Sequence, residues 1–370
     1  MSQARLFDPP VGLSGMAKGK LKIDEIIAAG SSRAKKVIDY VQALQPVDRV
    51  REAKKLNFIT EENEPHIYMK IPGGKSCFEK LHKNALRQAS AKTDIPWSYV
   101  DKLMSCSDWG LGLLAENFDE LFEHLEGRLL LRSVNGEVRG ILSDRYRRLD
   151  SRPLVDSFCR ACAEVGARPY EGYVTDTKVA LQAVIPKVYE PFPGEYMAYG
   201  VCFENSDFGN GALNISIFVL RLLSDTSTIG ADYMRKVHLG KRLEEEAEWT
   251  ERTKQLDMQT MMSAIGDMVH VNLADSRIEA MQGLLKSAFE MQLTDERKKT
   301  VIELLKRFLT KGEVEKVLQR FNEPEVELLP PGNNVWRMSS AVSWLAGATE
   351  DTERKLEIQK VAGKLLPTVA

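Results

Sequence analysis

Apolar and polar residues alternate strictly in the segment HIYMKI at residues 66–71. Every second side chain is apolar there, so the segment is predicted to form a half-buried strand with a period of two residues. Tyr68 and Lys70 belong to the polar set and are predicted to face away from the core.

The segment RLLLRSVNGEVRGILS at 128–143 carries the most specific local signal. Asn135-Gly136 separates two apolar-rich runs and supplies the two positive φ angles that a type I′ hairpin turn requires. This turn predicts that Arg132 lies opposite Arg139, a like-charge pair that destabilises a bare hairpin by roughly a few tenths of a kcal/mol. The better core face of the hairpin is predicted to carry Leu129, Leu131, Val138 and Leu142.

Helical spacing of apolar residues predicts several helices around these strands. One helix covers 22–44 and is predicted to break near Gly30. Two consecutive helices cover 76–93 and 94–104 and are predicted to form a helical hairpin, and another helix covers 153–165. The methionine-rich run at 257–269 also has helical spacing, which favours a core position, with an oligomer interface as the alternative.

Four further strands are predicted at 170–175, 178–188, 195–204 and 212–223. Beyond Gly230 the patterns are helical. The chain is therefore predicted to have an α+β fold, with a mostly antiparallel twisted sheet and helices in the N-terminal part and an all-helical C-terminal part. The predicted divisions are an N-terminal arm and helix, an α+β core, a helical region and C-terminal helices, at 1–56, 57–223, 231–322 and 335–370.

Composition narrows the class of protein. The 370 residues carry a formal net charge of -2, with 43% hydrophobic and 28% charged residues, as in ordinary globular proteins. No apolar run approaches the roughly 20 residues that cross a bilayer, and five scattered cysteines do not form a disulfide framework. These features predict a cytoplasmic protein without membrane contact. A net charge near zero still permits a local basic surface.

Two short motifs invite a chemical interpretation, and both are incomplete. The segment IPGGKSCF at 71–78 resembles a phosphate-binding loop, but Met69 stands where such a loop needs its first glycine. Cys159 and Cys162 have the spacing of a metal knuckle, yet no second pair matches them, so core packing is favoured. With no complete catalytic motif, the chain is predicted to be neither an enzyme nor a binder of metals or cofactors.

A basic cluster at SDRYRRLD (143–150) is the best candidate site. The arginines of the hairpin lie on one predicted face, and those of this cluster extend the positive charge past the strand end. Guanidinium groups suit phosphate oxygens, and a tyrosine ring can stack on a base. The alternative is that Asp144, Asp150 and Glu137 pair these arginines on a solvated sheet face. The candidate nucleic-acid-binding residues are Arg128, Arg132, Arg139, Arg145, Tyr146, Arg147, Arg148, Tyr68 and Lys70.

Three stretches occur in an order that resembles the DUF932 family of phage- and plasmid-borne proteins. They read ALRQASAKTDIPWSYVDKL, LLLRSVNGEVRGILSDRYRRLDSRPLV and GVCFENSDFGNGALNISIFVLRLL, and the resemblance spans about residues 66 to 223. It implies a mobile-element context and a cytoplasmic location, and it brings no activity with it. Mobile elements often carry single-strand annealing proteins with a curved sheet and a basic groove, which is an analogy of architecture.

The leading functional prediction is a single-stranded nucleic-acid binder, acting in phage or plasmid recombination or replication. The helical C-terminal part is predicted to mediate homo-oligomerisation, because multimers increase avidity along a strand. One alternative is a protein-interaction module that inhibits or redirects a host factor. Another is an enzyme with a metal held by Asn205, Asp207 and Asn210 of the loop NSDFGNG, although these residues are also typical of a tight turn.

Overall fold

The computed structural model describes residues 14–61, 64–71, 78–106, 108–222, 226–229, 250–323 and 329–366. Within these ranges the chain has the predicted α+β fold. Its N-terminal part contains mostly antiparallel strands together with helices, and the region that follows is entirely helical. Residues 72–77 of the phosphate-loop-like motif and residues 231–249 of the predicted helical region lie outside the described residues.

The strands form two sheets. The first sheet contains β1 (Val47–Glu52), β2 (Asn57–Thr60), β3 (Ile67–Lys70), β4 (Phe78–Leu81), β5 (Arg128–Val134) and β6 (Glu137–Ser143). Their order across the sheet is β1-β5-β6-β4-β3-β2, and every pair is antiparallel except β4 with β6. The alternation at 66–71 is confirmed, since Ile67, Met69 and Ile71 are buried.

The second sheet is an antiparallel meander. It contains β7 (Arg168–Val174), β8 (Val179–Val184), β9 (Met197–Asn205), β10 (Asn214–Arg221) and β11 (Thr226–Ile229), in the order β11-β10-β9-β8-β7. The four strands predicted between 170 and 223 are thereby confirmed. The side chains of β8, β9 and β10 are almost all buried, which shows that both faces of the sheet are covered at these three strands.

The helices are α1 (Gly15–Ala43), α2 (Lys83–Lys92), α3 (Trp97–Met104), α4 (Asp108–Glu123), α5 (Ser151–Glu164), α6 (Glu251–Leu273), α7 (Asp275–Glu290), α8 (Asp295–Lys306), α9 (Lys311–Asn322), α10 (Val335–Gly347) and α11 (Thr352–Lys364). Helices α2, α3 and α4 pack on one face of the first sheet, where Phe118 and Phe122 contact Phe58. The remaining helices surround the second sheet. None of the described helices is long and apolar enough to span a bilayer.

Two predicted helices have different bounds in the structure. The helix predicted at 76–93 begins only at Lys83, because Phe78–Leu81 forms β4 and pairs in parallel with β6. The helix predicted to break near Gly30 continues without interruption from Gly15 to Ala43. A Cβ atom at Gly30 would lie 1.9 Å from the carbonyl oxygen of Tyr170, so this glycine lets α1 lie directly on β7.

The Asn135-Gly136 turn is confirmed by positive φ angles of 52° and 79°, but the predicted register is wrong beyond it. Ser133 pairs with Val138 and Arg132 pairs with Gly140, so Arg139 is an extra residue in β6. This β-bulge removes the predicted pair of opposed arginines and bends the strand locally. It also places Ile141, rather than Leu142, on the core face of the hairpin.

The methionine run and the cysteine pair both pack into the core, as the sequence favours. Met261 is buried and Met258 packs beside it, where α6 meets α5 and the second sheet. Cys162 is fully buried in the same cluster, and Cys159 packs against it as a free thiol. Burial raises the pKa of both thiols, which is typical of structural cysteines.

The close packing of α1 on β7 predicts opposite effects for two glycine-to-alanine substitutions. Gly30→Ala places a methyl group against a backbone carbonyl, so we expect the free energy of unfolding to fall by about 2 kcal/mol or more. Gly283→Ala in α7 meets no atom within 4 Å and should raise that free energy by roughly 0.5–1 kcal/mol, because alanine is the better helix former. Urea denaturation of both variants measures the difference, and equal effects would contradict the packing.

Candidate functional site

Arg132 is the centre of the predicted basic cluster, and its side chain is almost completely buried, with 1% of the residue exposed. Its Nε donates to Asp48 Oδ1 at 2.8 Å, and its Nη2 donates to Asp150 Oδ1 at 2.6 Å. Its Nη1 donates to the carbonyl oxygen of Asp207 at 2.7 Å. Burial by itself lowers the pKa of Arg132, but the carboxylates of Asp150 and Asp48 raise it above its ordinary value.

The loop at 205–211, between β9 and β10, inserts next to this guanidinium. The ring of Phe208 lies near both Arg132 and Arg139, whose Cζ atoms are 6.0 and 5.9 Å from the ring centroid. The carbonyl oxygen of Phe208 accepts hydrogen bonds from Asn84 and Gln88 of α2, at 3.0 and 2.8 Å. The glycine-rich loop and the arginine cluster, which are separate motifs in the sequence, therefore form one junction between the two sheets.

Asp207 holds the start of α5. Its Oδ1 accepts from the backbone nitrogen of Ser151 at 2.7 Å and from the Ser151 hydroxyl at 2.8 Å. Asn205 donates to the Ser151 hydroxyl and to the carbonyl oxygen of Leu149. Asn205 also donates to Asp207 Oδ1 at 3.3 Å, so these two side chains are satisfied by each other and by Ser151, whereas Asn210 donates to Thr177. Within the described ranges, no group of three or more His, Cys, Asp and Glu residues could hold a metal ion.

Three further arginines of the cluster are paired with acidic residues. Arg139 Nε donates to Glu137 at 3.0 Å, and Arg147 Nε donates to Asp257 of α6 at 2.6 Å. Arg148 Nε lies 3.1 Å from the second carboxylate oxygen of Asp48. The premise that these arginines form an unneutralised positive surface is therefore wrong. Two of the acids, Asp150 and Glu137, were recognisable in the sequence; Asp48 and Asp257 come from distant elements.

Tyr146, Arg145 and Arg128 occupy different positions around the junction. Tyr146 is half-buried and its hydroxyl donates to the carbonyl oxygen of Ser206 at 3.4 Å, so the expectation of an exposed stacking ring is wrong. Burial raises the pKa of Tyr146 to about 12. Arg145 and Arg128 are exposed, and Arg128 lies opposite Glu52 in the ladder of β1 and β5.

Tyr68 and Lys70 lie on the same sheet face as Arg132 but three strands away, which is about 14 Å at the usual strand spacing. There they meet two residues of β4 that the sequence reasoning missed, because β4 was predicted as helix. Lys80 lies directly opposite Tyr68, and Phe78 lies directly opposite Lys70. We call Tyr68, Lys70, Phe78 and Lys80 the open sheet face.

Aromatic rings and lysine ammonium groups alternate on the open sheet face. Tyr68 and Phe78 are diagonal neighbours at about 7–8 Å, and the two lysines form the other diagonal. Lys70 is exposed, Phe78 is 38% exposed, and Tyr68 and Lys80 are half-buried. Two carboxylates next to this face have other partners: Glu64 accepts from the Tyr68 hydroxyl, and Glu137, which lies opposite Lys80 in the ladder of β4 and β6, pairs with Arg139.

No protein-family model, curated protein or solved structure matches this chain. The resemblance to the DUF932 family therefore stays a prediction, and the functional interpretation rests on the geometry of the chain itself.

The buried pairing of Arg132 predicts that this residue stabilises the fold. Arg132→Met leaves Asp48 and Asp150 without their shared cation, so we expect the free energy of unfolding to fall by about 3–5 kcal/mol. Arg145→Met, at an exposed position of the same cluster, should change it by less than about 0.5 kcal/mol. Urea denaturation at neutral pH distinguishes the two, and a mild effect of Arg132→Met would contradict a structural role.

The raised pKa of Asp207 predicts that the free energy of unfolding depends on pH. Its burial raises the pKa from 3.8 to about 6, even though Ser151 hydrogen-bonds its carboxylate. Between about pH 4 and 6 the folded protein keeps a proton that the unfolded chain has lost, so the free energy of unfolding falls as pH rises. The decrease attributable to this group is at most about 3 kcal/mol. Asp207→Asn should lack this decrease in denaturation curves across that range, and parallel pH profiles would contradict the assignment.

Proposed function

We propose that this protein binds single-stranded nucleic acid across the open sheet face, in recombination or replication of a phage or plasmid. The observation that supports this proposal is the alternation of Tyr68 and Phe78 with Lys70 and Lys80 on two paired strands. Proteins that bind single strands without sequence preference combine aromatic platforms for bases with cations for the backbone. The proposal keeps two residues of the predicted site and adds two from β4.

The chemistry of the face suits a single strand better than a duplex. Ring faces are useful only when bases are unstacked and exposed, which a duplex does not allow. Lysine ammonium groups attract phosphates as point charges and impose no base specificity. We therefore expect weak sequence preference and a strong dependence of affinity on salt.

The paired arginines have a different role in this proposal. Arg132 and Arg139 hold the loop at 205–211 in place through Phe208, and this contact fixes the second sheet against the first. They support the sheet that carries the open face. Arginine substitutions in the junction should therefore reduce stability before they reduce affinity.

Salt titration of oligonucleotide binding tests the proposal. Fluorescence anisotropy of a labelled oligothymidine should give a linear decrease of log affinity with log salt for the unmodified chain. Lys70→Ala combined with Lys80→Ala should flatten that slope by about 1.4, since each phosphate contact on a single strand contributes about 0.7. Phe78→Ala should weaken binding by about 1–3 kcal/mol without changing the slope, because stacking is not ionic.

A matched control removes two exposed lysines elsewhere, Lys36 on α1 and Lys299 on α8, with the same change of net charge. This variant should bind like the unmodified chain. Absence of binding in dilute buffer, or equal losses in the control and in the open-face variant, would contradict the proposal.

A further inference from the structure

The two rings of the open sheet face stand farther apart than successive bases of a helical strand. Tyr68 and Phe78 occupy diagonal positions of the β3–β4 ladder, and such positions are about 7–8 Å apart. Successive bases along one strand of a duplex rise by about 3.4 Å, which is roughly half that distance. Two adjacent bases can therefore lie on the two rings only after they have been unstacked from each other.

The ring of Tyr68 is held by two neighbours on its own side of the chain. Its hydroxyl donates to Glu64 Oε2 at 3.2 Å. The ring of His66 lies edge-on to it, with 6.5 Å between the ring centroids and 76° between the ring planes. A side chain that is already ordered loses less conformational freedom when a ligand binds to it. Tyr68 is therefore prepared to receive a base before the nucleic acid arrives.

The two lysines occupy the other diagonal of the same ladder, so the line between the lysine positions crosses the line between the ring positions. In a strand with one base on each ring, the phosphate that joins the two nucleotides lies between the rings, and thus between Lys70 and Lys80. Lysine attracts phosphate as a point charge and needs no fixed orientation. Glu137, opposite Lys80 in the ladder of β4 and β6, pairs with Arg139.

The part of the sheet that carries these four residues is narrow. On the β6 side, Arg139 donates to the Tyr40 hydroxyl of α1 and to the carbonyl oxygen of Asp176, between β7 and β8, so other elements cover the sheet there. On the opposite side the sheet ends at β2, the last strand in its order. The three strands β4, β3 and β2 span about 10 Å at the usual strand spacing. Two bases on the two rings occupy most of that width.

We propose that the open sheet face takes one unstacked dinucleotide step of a pyrimidine-rich single strand, with one base on each ring and the shared phosphate between the two lysines. This site rests on the proposed function, because the same four residues carry both. Pyrimidine runs are preferred where the strand must unstack and bend, since such preferences arise from stacking strength and backbone flexibility and not from hydrogen bonds to the bases. The substrate class is therefore a flexible, weakly stacked strand.

A series of labelled six-unit oligonucleotides tests the size and the base preference of the site by fluorescence anisotropy. One, two or four consecutive units carry thymine, and the other units are abasic. The affinity should rise by about tenfold from one thymine to two, because the second ring is then occupied. From two thymines to four it should rise by only about threefold, since four thymines offer three adjacent pairs. Hexathymidine should bind about threefold to tenfold more tightly than hexaadenine, a modest preference.

Substitution of either ring tests whether two platforms are used. Tyr68→Leu and Phe78→Leu keep an apolar side chain, so the fold is retained, and urea denaturation checks this. Each variant should lose most of the increase in affinity between one thymine and two, because a single ring remains. Phe308→Leu is the matched control, since Phe308 is 39% exposed, close to the 38% of Phe78, and lies in the all-helical region. This control should keep the whole increase.

A neutral linkage tests the position of the phosphate. In the oligonucleotide with two thymines, a methylphosphonate between the thymines should weaken binding by about fivefold at 50 mM salt, as expected for the loss of one phosphate contact. The same replacement between two abasic units should cost less. Lys70→Ala combined with Lys80→Ala should remove the difference between the two positions.

The possible failures separate this site from the proposed function. Absence of binding to every oligonucleotide in dilute buffer overturns both. Affinity that rises by equal factors with each added thymine, or tighter binding of hexaadenine, overturns the dinucleotide site while single-strand binding stands. Equal losses from the two methylphosphonate positions overturn the placement of the phosphate between the lysines.

Discussion

The burial of one guanidinium group, that of Arg132, is the constraint on which the junction of the two sheets depends. A buried arginine is tolerated only when its donors and its charge are matched. Asp48 and Asp150 supply the charge, and the carbonyl oxygen of Asp207 takes the remaining nitrogen. These partners come from β1, from the start of α5 and from the β9–β10 loop, so a single side chain connects three separate parts of the fold.

This constraint changes the meaning of the basic cluster. In the sequence, the arginines of 128–148 resemble a phosphate-binding surface, because net local charge is all that a sequence reveals. In the fold, Arg132, Arg139, Arg147 and Arg148 each have an acidic partner, and two of those partners lie far away along the chain. Lys70 and Lys80, which have no such role in the junction, lie on the open sheet face, and the proposed function moves there with them.

Local pattern predicted much of the fold. Strict alternation at 66–71, the turn at Asn135-Gly136 and the strand run from 170 to 223 were each predicted and are each confirmed, because they depend on neighbours within a few residues. The short strand β4 was predicted as helix. Its four residues form a strand because they pair in parallel with β6, which is distant in the sequence, so no local pattern indicates the strand. That error concealed Phe78 and Lys80. The bulge at Arg139 was also missed, because it is stabilised by Glu137 together with Tyr40 and Asp176 from other elements.

The sequence by itself determined the fold class, most strands, the hairpin turn and the buried side of the strand at 66–71, because these follow from the periodicity of apolar residues and from turn chemistry. Only the tertiary structure decided which charges are neutralised and which remain at the surface. The physical reason is that an ion pair depends on distance in space, and Asp48 and Asp257 reach their arginines only after the two sheets and α6 have packed together.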